Sequence, residues 1–178
     1  MVHRLLQEGA RDSHEALAIF DTLEPVGIDA LIGSWTGHGF ASGHPLDGAL
    51  EACHWHGKRF DSAEAVHPLL FTTRRGGRVS VNPLWVYPAL PLLLRLPWLK
   101  SETTGRIAQL FLPLLATRRP RARLRTMVHR GHATATLVYD SLPILDVFRR
   151  ADANTLMGLM ELRGMAQPFF FVLRREDR

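Results

Sequence analysis

Two short stretches place polar side chains where chemistry could be done. The first is Ser42-Gly43-His44-Pro45-Leu46-Asp47-Gly48 followed by Trp55-His56-Gly57-Lys58-Arg59-Phe60. His44 and Lys58 are exposed-type residues that would stand at a pocket entrance, although a lysine there also suits a solvated helix end. The second is Arg121, Arg123, Arg125 and His129, which fall on one face of a strand by the period of two. Facing outward, they form a basic stripe. Facing inward, only the deeper Arg125 and His129 would clamp a carboxylate or phosphate, because four unpaired buried cations are not tolerable.

A third group, Tyr139, Asp140, Asp146, Arg149 and Asp152, lies in one short region. Asp146 and Arg149 are three apart, on opposite faces of an ideal strand, so they pair only across a bulge. They read either as a turn-fixing ion network or as a polar patch at a ligand mouth. No two carboxylates have a spacing that demands acid–base catalysis. The nine histidines include His54-x-His56, but a helical placement makes these two diverge, and no metal-ligand motif appears. Cys53 is the one cysteine, which excludes an internal disulfide framework and a cysteine zinc site and agrees with a reducing cytoplasm. Met1 to Gly9 shows no secretory h-region, so a cytoplasmic location is expected.

These groups need a scaffold, and 178 residues at 46% hydrophobic and 22% charged are enough for one globular body. Asp12 with Glu15 has capping-box spacing and opens a helix that Pro25 stops. Leu31 to Phe40 favours a coiled, glycine-bent strand with Trp35 plugging the floor of a barrel. Leu46 to His56 reads as a short helix ending near Gly57, which places Trp55 and Lys58 on or beside it. His67–Thr73 and Arg78–Val81 are strand candidates joined by a turn at 74–77. From Arg121 onward, five strand-length segments follow: Arg121–Arg130, His132–Tyr139, Leu142–Arg149, Asn154–Leu162 and Pro168–Arg174. Short links between them predict an antiparallel meander. About eight to ten such strands remove their edges by closing, which predicts a mainly β fold, an antiparallel up-and-down barrel with an N-terminal helix and short helical lids. Ala133, Ala135, Leu137 and Tyr139 share one face and predict an apolar lumen.

Charge is unevenly spread. Residues 74–130 carry 12 basic side chains and one acidic one, Glu102, whereas residues 1–73 are net negative. Such a block suits an anionic partner. Nucleic acid is disfavoured, because no aromatics interleave with the arginines at 118–130. Within this block Leu84–Leu99 is apolar but cut by Pro88, Pro91 and Pro97, too short and too broken to span a membrane. It reads as helical turns packed on the body or as a lid. With Trp85 and Trp98 near its ends and Arg95, Lys100, Arg106, Arg118 and Arg119 beside it, the lid reading predicts peripheral contact with an anionic membrane.

Gly33-Ser34-Trp35-Thr36-Gly37 resembles the signature of the GXWXG family of small bacterial proteins, and the resemblance continues through the 42–48 and 55–60 stretches. Tyr139 to Arg149 and Pro168 to Phe171 are similar to the DUF4334 domain. A single domain follows, with a GXWXG module over about residues 12–72, a DUF4334-like module over about 118–176 and a Pro/Leu-rich connector at 83–116. The resemblance implies a lipocalin-like or fatty-acid-binding-protein-like barrel and a non-catalytic carrier of a hydrophobic, anionic ligand such as a fatty acid or phospholipid. The residues expected to contact it are Trp35, His44, Trp55, Lys58, Arg125, His129, Tyr139, Asp146 and Arg149, with no metal and no cofactor. The glycine–tryptophan strand also resembles nitrobindins, which raises haem on His129 or His132, or an enzyme using the same cavity, as the alternative. Nothing in the sequence sets an oligomeric state.

Overall fold

The computed structural model describes Leu6, residues 8–95 and residues 101–176. Helix α1 (Ser13–Asp21) begins at Asp12, whose carboxylate accepts from the Glu15 amide at 2.8 Å. The returning carboxylate of Glu15 takes the Arg11 amide at 2.7 Å, one residue earlier than a capping box would. After the two-residue strand β1 (Glu24–Pro25) come β2 (Gly33–Gly39), a one-turn helix α2 (Ala49–Ala52), β3 (Trp55–Ser62), β4 (Ala65–Thr72) and β5 (Arg78–Ser80). Two further short helices, α3 (Pro83–Val86) and α4 (Leu90–Arg95), precede α5 (Glu102–Phe111). The chain finishes in β6 (Ala122–His129), β7 (His132–Tyr139), β8 (Ile144–Asp152), β9 (Thr155–Leu162) and β10 (Phe169–Arg175).

The fold is mainly β, as predicted. Eight strands pair antiparallel in the order β8-β7-β6-β4-β3-β2-β10-β9, and β9 pairs back onto β8, so the sheet closes. The seams differ in strength. Strand β10 aligns with β2 over five residue pairs, whereas β4 meets β6 through the single pair Val66 and Ala122. The lid helices are inserted between β5 and β6, at that weak seam.

Side chains alternate between two cores. Phe169 and Phe171 point into the barrel, while Phe170 between them points out onto Phe20 of α1 and Phe40. Inside, Trp55, Phe60, Phe148 and Phe171 meet edge to face with ring centroids 5.8 to 6.1 Å apart, the arrangement favoured by the aromatic quadrupole. Half of the barrel is therefore solid.

The predicted helix from Leu46 to His56 is mostly absent. Only Ala49–Ala52 is helical, His54 takes a left-handed φ of 56°, and Trp55 opens a strand. Burial of the Trp55 indole in the barrel outweighs a weak local helix preference. The pairing of β3 with β4 slips around Gly57, which has φ of 143°. That bulge adds one residue, so Trp55 and Lys58, three apart, both point inward, and His56 and Arg59 point out. A Cβ on Gly57 would lie 2.0 Å from the Trp35 carbonyl oxygen.

The expected broken helices at 84–95 are present, as α3, a tight turn and α4. Pro97, Trp98 and Lys100 lie outside the described residues. Among the described residues, no helix is long and apolar enough to cross a membrane.

Candidate functional site

Lys58 is brought to the middle of the barrel by the Gly57 bulge, and Asp146 by the inward face of β8. Both are almost wholly buried. Lys58 Nζ donates to Asp146 Oδ2 at 2.7 Å and to the Pro68 carbonyl at 3.2 Å. The rings of Phe171, Trp55 and Tyr139 stand 4.9, 5.6 and 5.8 Å from the same nitrogen, a cation–π cage for what hydrogen bonds leave uncovered. Lys58 is thus no helix-end charge and no entrance residue: its ammonium is committed to neighbours inside the core.

Tyr139, at the end of β7, donates its hydroxyl to Asp146 Oδ2 at 3.3 Å. Burial, and secondarily the Asp146 charge, push the Tyr139 hydroxyl well above its ordinary pKa, so it is protonated throughout the neutral range. Its oxygen therefore has a lone pair to offer and no proton to give beyond the one directed at Asp146. Asp146 Oδ1 is buried without a hydrogen-bond partner. The polar end of this site is rich in acceptors.

Above it lies an apolar cavity of about 140 Å³. The ring of Tyr139 contributes to its wall. Leu46, Ala49 and Cys53 close one side, Ile144, Met160 and Phe169 another, and Val86, Tyr87 and Leu90 of the lid roof it. Cys53 is half-buried, and burial pushes its thiol up rather than activating it. A larger groove of about 580 Å³ runs past Pro143, Leu145, Glu161 and Gln167 and shares Leu142 and Ile144 with the cavity, but its lining includes neither Tyr139 nor the ion pair. Of the β7 face expected to line an apolar lumen, only Tyr139 borders the cavity: Ala135 and Leu137 point inward into packed core, and Ala133 is exposed.

The remaining expected site residues divide sharply. Trp35 is buried at the opposite end, its indole N–H donating to the Leu31 carbonyl at 2.7 Å and the Arg175 guanidinium 4.3 Å over its ring. This is the floor plug the sequence predicts. His44 is buried beside the cavity wall: its Nδ1 accepts from the Leu46 amide at 3.0 Å, and its ring leans on Phe169 at 5.4 Å. The stretch around it is organised by Asp47, whose Oδ2 accepts from the Ser42 and His44 amides at 2.9 and 3.0 Å.

Arg125, His129 and Arg149 lie outside the barrel. Arg125 is half-buried and pairs with Glu64 at 2.8 Å, and Arg123 pairs with Asp140 at 2.9 Å, so these two face outward and Arg125 has no access to the lumen. His129 meets Glu161 at 3.1 Å and lies edge-on to Phe20. Arg149 is fully buried under α1, 5.6 Å over the Phe20 ring, with Nε and one terminal nitrogen lacking hydrogen-bond partners. Burial pulls its pKa down against the opposing pull of Asp21 and Glu24. Asp146 and Arg149 do sit on opposite faces of β8, as their spacing requires.

The haem alternative does not fit these positions. His129 is on the outer face, His132 is exposed, and a porphyrin is far larger than the cavity. Among the described residues, no three His, Cys, Asp or Glu side chains are grouped to hold a metal ion. The cavity walls themselves were invisible in the sequence, because a lining of Leu, Ile, Phe and Met carries the same signal as a filled core.

Residues 18–76 match the family described as GXWXG protein, and residues 120–175 match a domain of unknown function, DUF4334. No curated protein matches the chain. A solved structure, a protein from Thermomonospora curvata, is 27% identical and aligns over 99% of this chain and 96% of its own with a TM-score of 0.73.

Proposed function

From a chain built of a GXWXG segment followed by a DUF4334 segment, neither of whose descriptions names an activity, we propose that the protein binds one small apolar molecule at the lidded end of the barrel. The observation that carries this reading is the cavity itself: about 140 Å³, apolar on nearly every side, with the Tyr139–Asp146–Lys58 cluster adjoining one wall. Ligand pockets combine apolar walls with a few fixed polar groups in this way. An apolar cavity of about 150 Å³ takes up a benzene-sized molecule, whereas drug-sized ligands need roughly 300 Å³ or more. The cavity therefore fits a single ring or a short chain, or the end of a longer chain whose remainder passes beneath the lid.

The chemistry of the cluster narrows the ligand's polar group. Two of the three Lys58 donors go to Asp146 and Pro68 and the ammonium is otherwise surrounded by aromatic rings, while the Tyr139 proton is directed at Asp146. What remains on Tyr139 is an acceptor, which suits a ligand hydroxyl better than a carboxylate. An anionic head group would have to sit at the rim. Arg121 lines a small separate pocket that shares Pro83, Tyr139 and Leu142 with the cavity wall, with its Nε buried and unpartnered. A fatty acid binds in that arrangement with its tail inside and its carboxylate at Arg121.

The test titrates a single-ring probe, toluene, into the protein by calorimetry. It should bind saturably to the wild-type protein, and Ala49→Leu, which fills the cavity, should abolish the binding while circular dichroism stays the same. A series of alkanols and fatty acids competing for the probe then separates the two kinds of polar group. Equal probe response in wild type and Ala49→Leu would remove the cavity as the binding site.

A further inference from the structure

The lid has two faces. Val86, Tyr87 and Leu90 look inward and roof the cavity. On the outer side, Leu84 is 41% and Trp85 65% exposed. Helix α5 repeats the pattern. Gly105 is buried against Ala52, Gln109 donates to the Thr72 carbonyl at 3.1 Å, and Leu112 is buried, so the stripe at 105, 109 and 112 packs on the body. Ile107, Leu110, Phe111 and Leu114 recur at i, i+3, i+4 and i+7 and lie on the opposite side at 100° per residue. They are 54, 58, 53 and 79% exposed. A helix whose apolar stripe points away from its own core is built to meet something else.

Charge says what. Residues 74–119 hold eight basic side chains against one acidic residue, Glu102. Arg74 is brought beside α5, where it donates to the Arg106 carbonyl at 3.2 Å. Arg118 and Arg119, four and five residues beyond Leu114, are exposed, as is Arg95 at the end of α4. A second copy docked through the same face by a two-fold axis would set arginine against arginine. An anionic bilayer satisfies both features at once, taking the apolar side chains among its acyl chains and the arginines among its head groups.

We propose that the outer face of α3–α5 docks on the surface of anionic lipid bilayers. The cavity roof then lies against the membrane, so that a ligand enters from the lipid phase. The docking itself stands independently of what the cavity holds.

Co-sedimentation with vesicles tests this on the full chain. Phosphatidylcholine vesicles containing phosphatidylglycerol should pull the protein down, pure phosphatidylcholine should bind it poorly, and added salt should weaken the anionic binding. The triple variant Ile107→Ser, Leu110→Ser, Phe111→Ser removes side chains that touch little of the fold. It should bind roughly tenfold less or weaker still. Arg118→Glu with Arg119→Glu, which leaves the apolar stripe intact, should lose the anionic preference and covers the case in which the triple variant fails to fold. No binding to either vesicle, equal binding to both, or unchanged binding in a folded variant would overturn the proposal. So would light scattering that shows a dimer in the wild type and a monomer in the triple variant, which would make the occupant a second copy. Vesicle binding by a wild-type protein that takes up no toluene would strike only the cavity reading.

Discussion

Lys58→Met should destabilise the barrel by about 3–5 kcal/mol, a large fraction of the roughly 5–15 kcal/mol that holds a domain folded. The estimate rests on the ion pair between Lys58 Nζ and Asp146 Oδ2, 2.7 Å apart, with side chains 3% and 1% exposed. At an effective dielectric of about 20 their attraction is about 6 kcal/mol. Withdrawing each ion from water costs several kcal/mol, so the intact pair is close to neutral in its net effect. Removing one member is a different matter, because the other keeps its desolvation cost. In Lys58→Met the Asp146 carboxylate retains only the Tyr139 hydroxyl. In Asp146→Leu, which has the same number of side-chain heavy atoms, the Lys58 ammonium retains the Pro68 carbonyl and three aromatic faces. That variant should lose less, because the cage remains.

The double variant Lys58→Met, Asp146→Leu removes both charges and should recover most of the loss, to within about 1–2 kcal/mol of wild type. Urea unfolding at 25 °C followed by tryptophan fluorescence gives the four stabilities of the cycle, and the coupling energy should be at least about 3 kcal/mol in favour of the pair. Single losses that simply add, with coupling below about 0.5 kcal/mol, would mean that the two charges do not meet in a dry core. A double variant that is less stable than either single one would refute the claim that the pair is nearly neutral in stability.

Two further outcomes follow from local geometry. Gly57→Ala should cost about 2–5 kcal/mol in the same urea assay, because φ of 143° and a Cβ 2.0 Å from the Trp35 carbonyl oxygen combine backbone strain with overpacking; a loss below about 1 kcal/mol would show that the bulge relaxes. His67 is held below the usual imidazole range, first by burial and then by Arg59, with Asp61 opposing. The unfolded chain therefore binds a proton before the folded one does. Stability should be complete above the unfolded value of about 6.5 and decline as pH falls below it towards the folded one, and His67→Gln should flatten that slope.

What the sequence made legible follows the physics of each signal. Strands β6 to β10 are strand-length segments parted by short turns, so their bounds are read to within two or three residues, although β8 to β10 are buried on both faces rather than in alternation. Strand β3 was hidden because its only cue, Trp55, follows a helical turn and precedes the bulge that resets the alternation at Lys58. The same bulge concealed the facing of Lys58, for a charge is read as solvent-exposed unless its partner is known. That partner lies 88 residues away. Arg125 and His129 were open to either facing, because a period of two says which residues share a face and not which face is inside.

The ion pair also explains how the two family segments relate. Lys58 belongs to the segment 18–76 and Asp146 and Tyr139 to the segment 120–175. The first supplies three barrel strands, β2 to β4, and the second supplies five, β6 to β10. Neither set closes a barrel alone, because closure needs both the β2–β10 and the β4–β6 seams. The buried charges thus cross between segments, each side keeping the other from being left with an uncompensated ion. The β4–β6 seam is the thinner of the two, and it is there that the chain departs into the lid. An opening of the lidded end therefore has little strand pairing to break at that seam, while the β2–β10 ladder and the Lys58–Asp146 pair hold the rest of the wall in place.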